Sequence, residues 1–250
     1  MTESVVSGAP QGMPVPETIG KRGWLLAHAD DNLILAHRLG EWISKAPELE
    51  LDIALGNIGL DHLGVARSLY QHLGEEEGKS EDEYAMGRTD REFRNMLLVE
   101  QPNGDFAHTV VRQFFFDCYQ LQLWPDLAGS EDEVVAGIAT RANKEAAYHY
   151  RFSHGWMLRL GDGTDESHDR AQVALDDLWR FTDEMFEGEA SGYRQAWEAL
   201  VGEMLAEAGL SRPEDPYQKT GGRIGYHTEH LGYLLAEMQW MQRTFPGLEW

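Results

Sequence analysis

The sequence has little cysteine and no long uncharged apolar run. Its single cysteine, Cys118, cannot form a disulfide within the chain, and 250 residues can bury a sizeable hydrophobic core without such bridges. This favours a reducing compartment, and we expect the protein to be cytoplasmic. Charged residues interrupt every long hydrophobic stretch, so the sequence predicts no membrane-spanning helix and no membrane partner.

Basic residues are also scarce. Lys and Arg total 21 against 43 Asp and Glu, which gives a formal net charge of -22. This charge would repel nucleic acid phosphates and anionic lipid surfaces, so a nucleic acid partner is not expected. The acidity is typical of a soluble surface, with a docking face for a basic partner as the alternative interpretation. Eight tryptophans favour a permanent protein interface.

The first twenty residues differ from the rest in composition. They are rich in Gly and Pro and lack both the basic start and the apolar run of a signal peptide. We therefore predict a flexible N-terminal tail over residues 1–20. Residues 21–250 contain no internal repeat and no linker, and they are predicted to form a single domain.

Apolar residues beyond the tail recur at helical spacing, and no window alternates as a half-buried strand does. Pro47 and Gly74 are expected to end the first two helices, Asp105 to cap the third, and Ser130 with Glu133 to form the capping box of the fourth. Residues 75–103 are predicted to hold short helices and turns. The helices are predicted at about 24–46, 48–73, 105–127, 130–161, 166–187, 191–209 and 227–244.

The first four long helices pair in sequence as two antiparallel hairpins. Later helices are expected to pack around these hairpins. This order predicts an all-α fold, a ferritin-like helical bundle with additional C-terminal helices.

A ferritin-like bundle can hold two irons when one carboxylate comes from each of two helices and a Glu-x-x-His pair from each of the others. Two residues of a helical hairpin lie at the same level of the bundle when they are equally far from its turn. The turns are near residues 47 and 131, and this rule identifies the inward positions. They contain one carboxylate and no Glu-x-x-His pair, which is too little negative charge for two irons. We therefore predict six degenerate di-iron positions and no metal site: Asn32, His62, Val65, Asp117, Ala146 and His149.

Two alternatives for this centre stay open. If each inward position is shifted by one residue along its helix, the resulting set of six contains no histidine. In the predicted frame, we expect Asp117 and His149 to hydrogen-bond each other, while a single metal held by His62, Asp117 and His149 is the other interpretation. The shifted frame comprises Asp31, Asp61, Gly64, Phe116, Glu145 and Tyr148.

Other motifs that could carry chemistry have simpler interpretations. Lys219–Gly225 is a glycine-rich basic loop whose spacing matches neither a P-loop nor a dinucleotide fingerprint, so a surface turn is expected. His227 and His230 lie one turn apart without further ligands and mark a helix start. Cys118 falls in an apolar helical run, where a thiol is usually inert. We predict no catalytic residue and no cofactor in this chain.

Several long strings carry a resemblance to a known family. They are LGEW at 39–42, APELE at 46–50, LLVEQPNGDFA at 97–107, KEAAYHYRFSHGW at 144–156, LWRFTDE at 178–184 and TGGRIGYHTEHLGYLLAEMQWMQR at 220–243. At these residues the chain resembles the PaaC-type subunits of phenylacetyl-CoA epoxidases. The resemblance covers about residues 21–250.

The resemblance implies a ferritin-like structural subunit without its own di-iron centre. Such a subunit pairs with the homologous catalytic subunit PaaA, which holds the di-iron centre and inserts one oxygen atom into the aromatic ring of phenylacetyl-CoA. Electrons come from NADPH through a reductase subunit with FAD and an iron-sulfur centre. The catalytic relatives' ligand pattern carries over only at Asp117 and His149. The alternatives are an independent metalloenzyme with an atypical metal site, or a module that holds coenzyme A through the Lys219–Gly225 loop.

Overall fold

Four long helices dominate the computed structural model, which describes residues 20–214 and 217–247. The predicted tail lies outside the described residues except for Gly20. Within those ranges the regular elements are ten α-helices and short 3-10 segments, with no strand. The helices are α1 (Lys21–Gly40), α2 (Leu49–Glu77), α3 (Glu81–Met86), α4 (Leu97–Glu100), α5 (Phe106–Leu127), α6 (Glu133–Gly161), α7 (Asp165–Leu178), α8 (Arg194–Glu207), α9 (Glu229–Met238) and α10 (Trp240–Thr244).

The long helices pack as two hairpins. Helix α1 lies along α2, α5 lies along α6, and contacts between α2 and α6 join the pairs. Helices α7 and α8 pack against α5, so the later helices surround the bundle as predicted. The all-α ferritin-like prediction is confirmed. None of the described helices has a stretch long and apolar enough to cross a bilayer.

The first hairpin turns earlier, and its second helix runs further, than the sequence suggested. Helix α1 ends at Gly40, and the turn contains Ser44 at a φ of 69°, whose amide donates to Asp52 Oδ2 over 2.6 Å. Helix α2 continues through Gly74 because Gly78, at a φ of 66°, provides its left-handed cap. A Cβ at Gly74 would lie 2.1 Å from the Lys79 carbonyl oxygen. That glycine therefore permits a close approach inside the helix instead of ending it.

Helix starts and breaks follow local side-chain hydrogen bonds. Asp105 caps α5 as predicted, through the amide of His108, but the predicted Ser130–Glu133 capping box is wrong. Asp132 caps α6 instead, because its carboxylate accepts from two first-turn amides. The predicted helix over 166–187 ends at Leu178 and gives way to 3-10 segments that extend to 193.

Two adjacent acids on α1, Asp30 and Asp31, are fully buried. Asp30 pairs with Arg88, and Asp31 pairs with Arg223 from the C-terminal segment through a contact of 2.8 Å. Burial alone would raise the pKa of Asp31, but the Arg223 guanidinium lowers it below its usual range. Both carboxylates also accept backbone amides from residues 94 and 96. These ion pairs hold the segment after α3, through Arg88, and the C-terminal segment, through Arg223, against α1.

The expectation of a surface turn at Lys219–Gly225 is wrong. Arg223 is buried, and a Cβ at Gly222 would lie 2.1 Å from the Asn95 carbonyl oxygen. The amides of Gly221 and Gly222 donate to Glu184 Oε1 over 2.8 and 2.6 Å. Because a carboxylate of the chain already engages these amides, they are not available to the phosphates of coenzyme A.

Replacement of Arg223 by Met tests the buried ion pair. The variant leaves Asp31 without its cation inside the bundle, where the carboxyl must stay unpaired or take up a proton, so we expect the free energy of unfolding to fall by about 3–5 kcal/mol. Urea unfolding followed by circular dichroism measures the change. Arg170→Met, which removes exposed ion pairs with Glu166 and Asp105, is the matched control and should change the midpoint little. Equal losses in the two variants would contradict this assignment.

Candidate functional site: the buried centre of the bundle

All six predicted inward positions are buried, with exposed fractions of 3% or less. Val65 and Ala146 belong to the hydrophobic core and offer no ligand atom. One nitrogen or oxygen atom from each of His62, Asp117 and His149 lies within 4.8 Å of the other two. The six positions come from all four long helices: Asn32 from α1, His62 and Val65 from α2, Asp117 from α5, and Ala146 and His149 from α6.

His62 is held by amide side chains on both sides of its ring. Its Nδ1 lies 2.8 Å from Asn32 Oδ1, which also accepts from Gln120 over 3.2 Å. Because Asn32 Nδ2 donates to the carbonyl of His28, the Asn32 oxygen must be an acceptor and His62 Nδ1 the donor. His62 Nε2 then accepts from Gln113 over 3.3 Å. Burial, with a smaller effect of His149, holds the pKa of His62 well below its usual range, so the ring is neutral.

Asp117 is the carboxyl group of the centre. Its two oxygens accept from Gln113 Nε2 and Ser153 Oγ, each over 2.7 Å. Burial raises its pKa to about 8, although both hydrogen bonds favour the charged form. Asp117 therefore carries a proton at neutral pH, and the centre has no net charge from this residue.

The predicted hydrogen bond between Asp117 and His149 is wrong. His149 Nε2 lies 3.1 Å from Asp61 Oδ2, while Asp117 is already engaged by Gln113 and Ser153. Asp61 is partly exposed, so its carboxylate stays hydrated and can accept a hydrogen bond from the imidazole. This arrangement leaves His149 Nδ1 buried with no hydrogen-bond partner among the described residues.

Comparison with known proteins agrees with the motifs noted in the sequence. The model of the family described as "Phenylacetic acid catabolic protein", PaaA_PaaC, matches residues 13–250. The chain belongs to this family. A relative from Escherichia coli strain K12, named as the C subunit of 1,2-phenylacetyl-CoA epoxidase, is 47% identical over 242 residues. The alignment covers 91% of this chain and 98% of the relative, and it confirms the family resemblance.

Sequence reasoning missed four polar side chains that complete the centre of the bundle. Gln113 and Gln120 share a face of α5 with Asp117, at spacings of four and three residues. Ser153 lies one turn after His149 on α6. Helical spacing from the predicted positions would have found these three. Asp61 was considered only as part of a shifted ligand set, whereas it approaches His149 from the edge of the bundle.

The shifted frame does not assemble at one place. Asp31 pairs with Arg223, and Glu145 forms an ion pair of 3.2 Å with Arg141 one turn earlier on α6. Only Asp61 reaches the centre, through His149. The acids of this frame therefore form two separate ion pairs and one hydrogen bond to an imidazole, and they make no common ligand set.

The centre does not fit the two irons that the bundle architecture implies. Two iron ions need several carboxylates, whereas Asp117 is the single carboxylate among the six inward positions, three of which are Asn32, Val65 and Ala146. Both ring nitrogens of His62 are already engaged. His149 Nδ1 and Gln113 Oε1 are the unpartnered acceptors there among the described residues. They are too few to bind a pair of metals.

Replacement of Asp117 by Asn tests the neutral centre. The folded pKa of about 8 lies above the unfolded value of about 3.9, so the native state keeps a proton that the unfolded chain loses. The wild-type free energy of unfolding should therefore fall as the pH rises from about 4 to 8. Asn does not titrate, and Ser153 can turn its hydroxyl to the Tyr150 carbonyl, so the variant should gain at least ~1 kcal/mol by pH 8.

Urea unfolding at pH 5, 6.5 and 8 measures this gain. Asp169→Asn, at an exposed position of α7, is the control and should show no pH-dependent gain. A loss of stability for Asp117→Asn that grows with pH would show that Asp117 is charged in the native state.

Proposed function

We propose that this chain is a non-catalytic structural subunit of a multicomponent phenylacetyl-CoA epoxidase in phenylacetate catabolism. The observation that carries the proposal is the centre of the bundle, where Asn32, Val65 and Ala146 occupy inward positions and Asp117 is the single carboxylate among the six. A neutral polar network keeps the shape of the bundle without holding a pair of irons. The 47% identity to the C subunit of the Escherichia coli epoxidase supports the same role.

The proposal assigns the chemistry to other subunits. The partner is the homologous catalytic subunit PaaA, which supplies the di-iron centre for ring epoxidation. A reductase subunit with NADPH, FAD and an iron-sulfur centre supplies electrons. This chain contributes no cofactor, stabilises the catalytic subunit by pairing with it in the cytoplasm, and contacts neither nucleic acid nor membrane.

The outer face of α2 supports pairing with another protein. Leu49, Ile53, Leu60 and Leu63, the α2 stripe, expose 71, 54, 65 and 41% of their surface. Their spacing of four, seven and three residues places them on one face of the helix. Gly56 lies in the middle of that face, and a Cβ there would meet nothing within 4 Å. A helix of a partner can therefore approach the backbone of α2 between the apolar side chains.

Charge indicates which partner fits the α2 stripe. The groove beside it, between α1 and α2, has Glu41 and Asp52 at its edge. A second copy of this chain would bring the same acids and a further charge of -22, and like charges across an interface are unfavourable. We infer that the stripe is covered by a helix of the catalytic subunit with basic side chains beside an apolar ridge.

An independent metalloenzyme with an atypical site is the second candidate. It is favoured by the approach of ligand atoms from His62, Asp117 and His149 to within 4.8 Å of one another. Metal binding there would require Asp117 to lose its proton and Gln113 to leave His62. The hydrogen-bond network therefore opposes this function.

Iron analysis separates the two candidates. After anaerobic incubation with ferrous iron and desalting, the purified chain should retain far less than one iron per molecule. His149→Ala should retain as little, and its effect should appear as lower stability of the chain. One or more irons per chain, lost in His149→Ala, would establish the metalloenzyme instead.

Leu60→Glu tests the α2 stripe as the pairing surface. Leu60 is exposed, so the free chain should keep its stability, while a buried charge in the complex should lower recovery of co-expressed catalytic subunit at least ~10-fold. Val173→Glu on α7 is the matched control, because Val173 is 52% exposed and lies outside the stripe. Equal recovery with both variants would exclude the stripe. Dissociation of a homodimer by Leu60→Glu would identify a second copy as the occupant.

A further inference from the structure

A second cavity, of about 440 Å³, lies away from the bundle centre, where the first turn of α1 meets residues 185–190. None of the six degenerate metal positions lines it. Its volume falls within the range of small-molecule sites, and its walls are mostly apolar. They include Trp24, Ala27, Tyr119, Met185, Ala190 and Ile224.

Tyr119 brings a hydroxyl group to this cavity without a partner. The residue is fully buried, and its hydroxyl oxygen makes no hydrogen bond among the described residues. Edge-on contacts with Phe186 and Tyr193 hold the ring in place. Burial raises the pKa of Tyr119 above its usual range, so the group remains a donor. A buried donor without an acceptor is unfavourable, and a bound oxygen atom would remove that cost.

His28 provides a complementary acceptor next to Tyr119. The two ring centroids are 6.0 Å apart, and Trp24, a wall of the cavity, packs edge-on against His28 at 4.3 Å. His28 Nδ1 faces the carboxylate of Asp31 over 3.3 Å and must donate to it, so Nε2 carries the lone pair. That Nε2 atom is buried and has no partner among the described residues. Tyr119 therefore places an unpartnered donor in the cavity wall, and the neighbouring ring of His28, behind that wall, carries an unpartnered acceptor.

The charges around the cavity disfavour an anionic ligand. Glu187 and Glu189 lie at the cavity wall. Arg223 also lines it, but both of its terminal nitrogens already contact Asp31, over 3.0 and 2.8 Å. A ligand carboxylate or phosphate would meet two acids and a cation that is already paired. The cavity thus selects against coenzyme A thioesters and free acids.

We propose that this cavity is a binding site for a small neutral aromatic molecule with a hydroxyl group, whose ring packs against Trp24 and Met185 and whose oxygen pairs with Tyr119. The site is independent of the proposed function, because it uses neither the α2 stripe nor the bundle centre. A phenol-sized molecule matches both the apolar walls and the unpartnered hydroxyl of Tyr119.

Binding of three matched probes tests the class of ligand. 4-Ethylphenol should bind the purified chain saturably in calorimetry and ligand-observed NMR, and it should bind about 10-fold more tightly than ethylbenzene, which lacks the hydroxyl. 4-Ethylbenzoate, an anion of similar shape, should bind more weakly than either. Absence of saturable 4-ethylphenol binding, or equal affinity for all three probes, would overturn the proposal.

Variants then locate the site. Tyr119→Phe removes only the hydroxyl and should reduce the preference for 4-ethylphenol over ethylbenzene by about 5- to 10-fold. Ala190→Leu fills the cavity and should weaken both probes, with circular dichroism to confirm folding. Tyr148→Phe, an exposed tyrosine on α6, is the control and should change nothing. Unchanged affinities in folded Tyr119→Phe would show that the Tyr119 hydroxyl is satisfied by bound water and that the probes bind elsewhere.

Discussion

A carboxyl group inside this bundle needs either a neighbouring cation or its own proton, and both cases occur in its interior. Asp31 keeps its charge because Arg223 enters from the C-terminal segment and lies beside it. Asp117 has no cationic partner among the described residues, and burial raises its pKa to about 8, so it stays neutral although it is equally buried. The first solution joins distant parts of the chain, and the second leaves the centre of the four long helices without charge.

The neutral centre also shows how a bundle of this architecture can be held together by side chains alone. In a di-iron bundle the metal charge compensates several carboxylates that point to one place. Here Asn32, Gln113 and Gln120 occupy that space with amide groups, which can both donate and accept. These side chains link α1, α2 and α5 through hydrogen bonds of 2.8–3.3 Å. A polar network therefore joins three of the long helices at the level of the six inward positions.

The sequence predicted the level of this centre along the bundle but not which side chains hydrogen-bond to each other there. Hairpin symmetry and the helical period place Asn32, His62, Asp117 and His149 at one height, because both depend only on backbone geometry. Which side chain bonds to which depends on rotamers and on neighbours from other helices, so the partners of Asp117 and His149 were predicted wrongly. The burial of the loop around Gly222 was missed for a similar reason. Its close approach to Asn95 is a contact between distant segments, which no local pattern records.

The interior and the surface of the chain then have separate tasks. The buried ion pairs and the amide network are formed by side chains of this chain alone. The α2 stripe does not contribute hydrophobic stabilisation to the folded chain, because Leu49 and Leu60 remain mostly exposed to water. Apolar side chains aligned on one helical face become stabilising only when another surface covers them. An uncharged centre inside and an uncovered apolar face outside are what a subunit needs if its contribution is shape and contact area, with the reaction left to its partner.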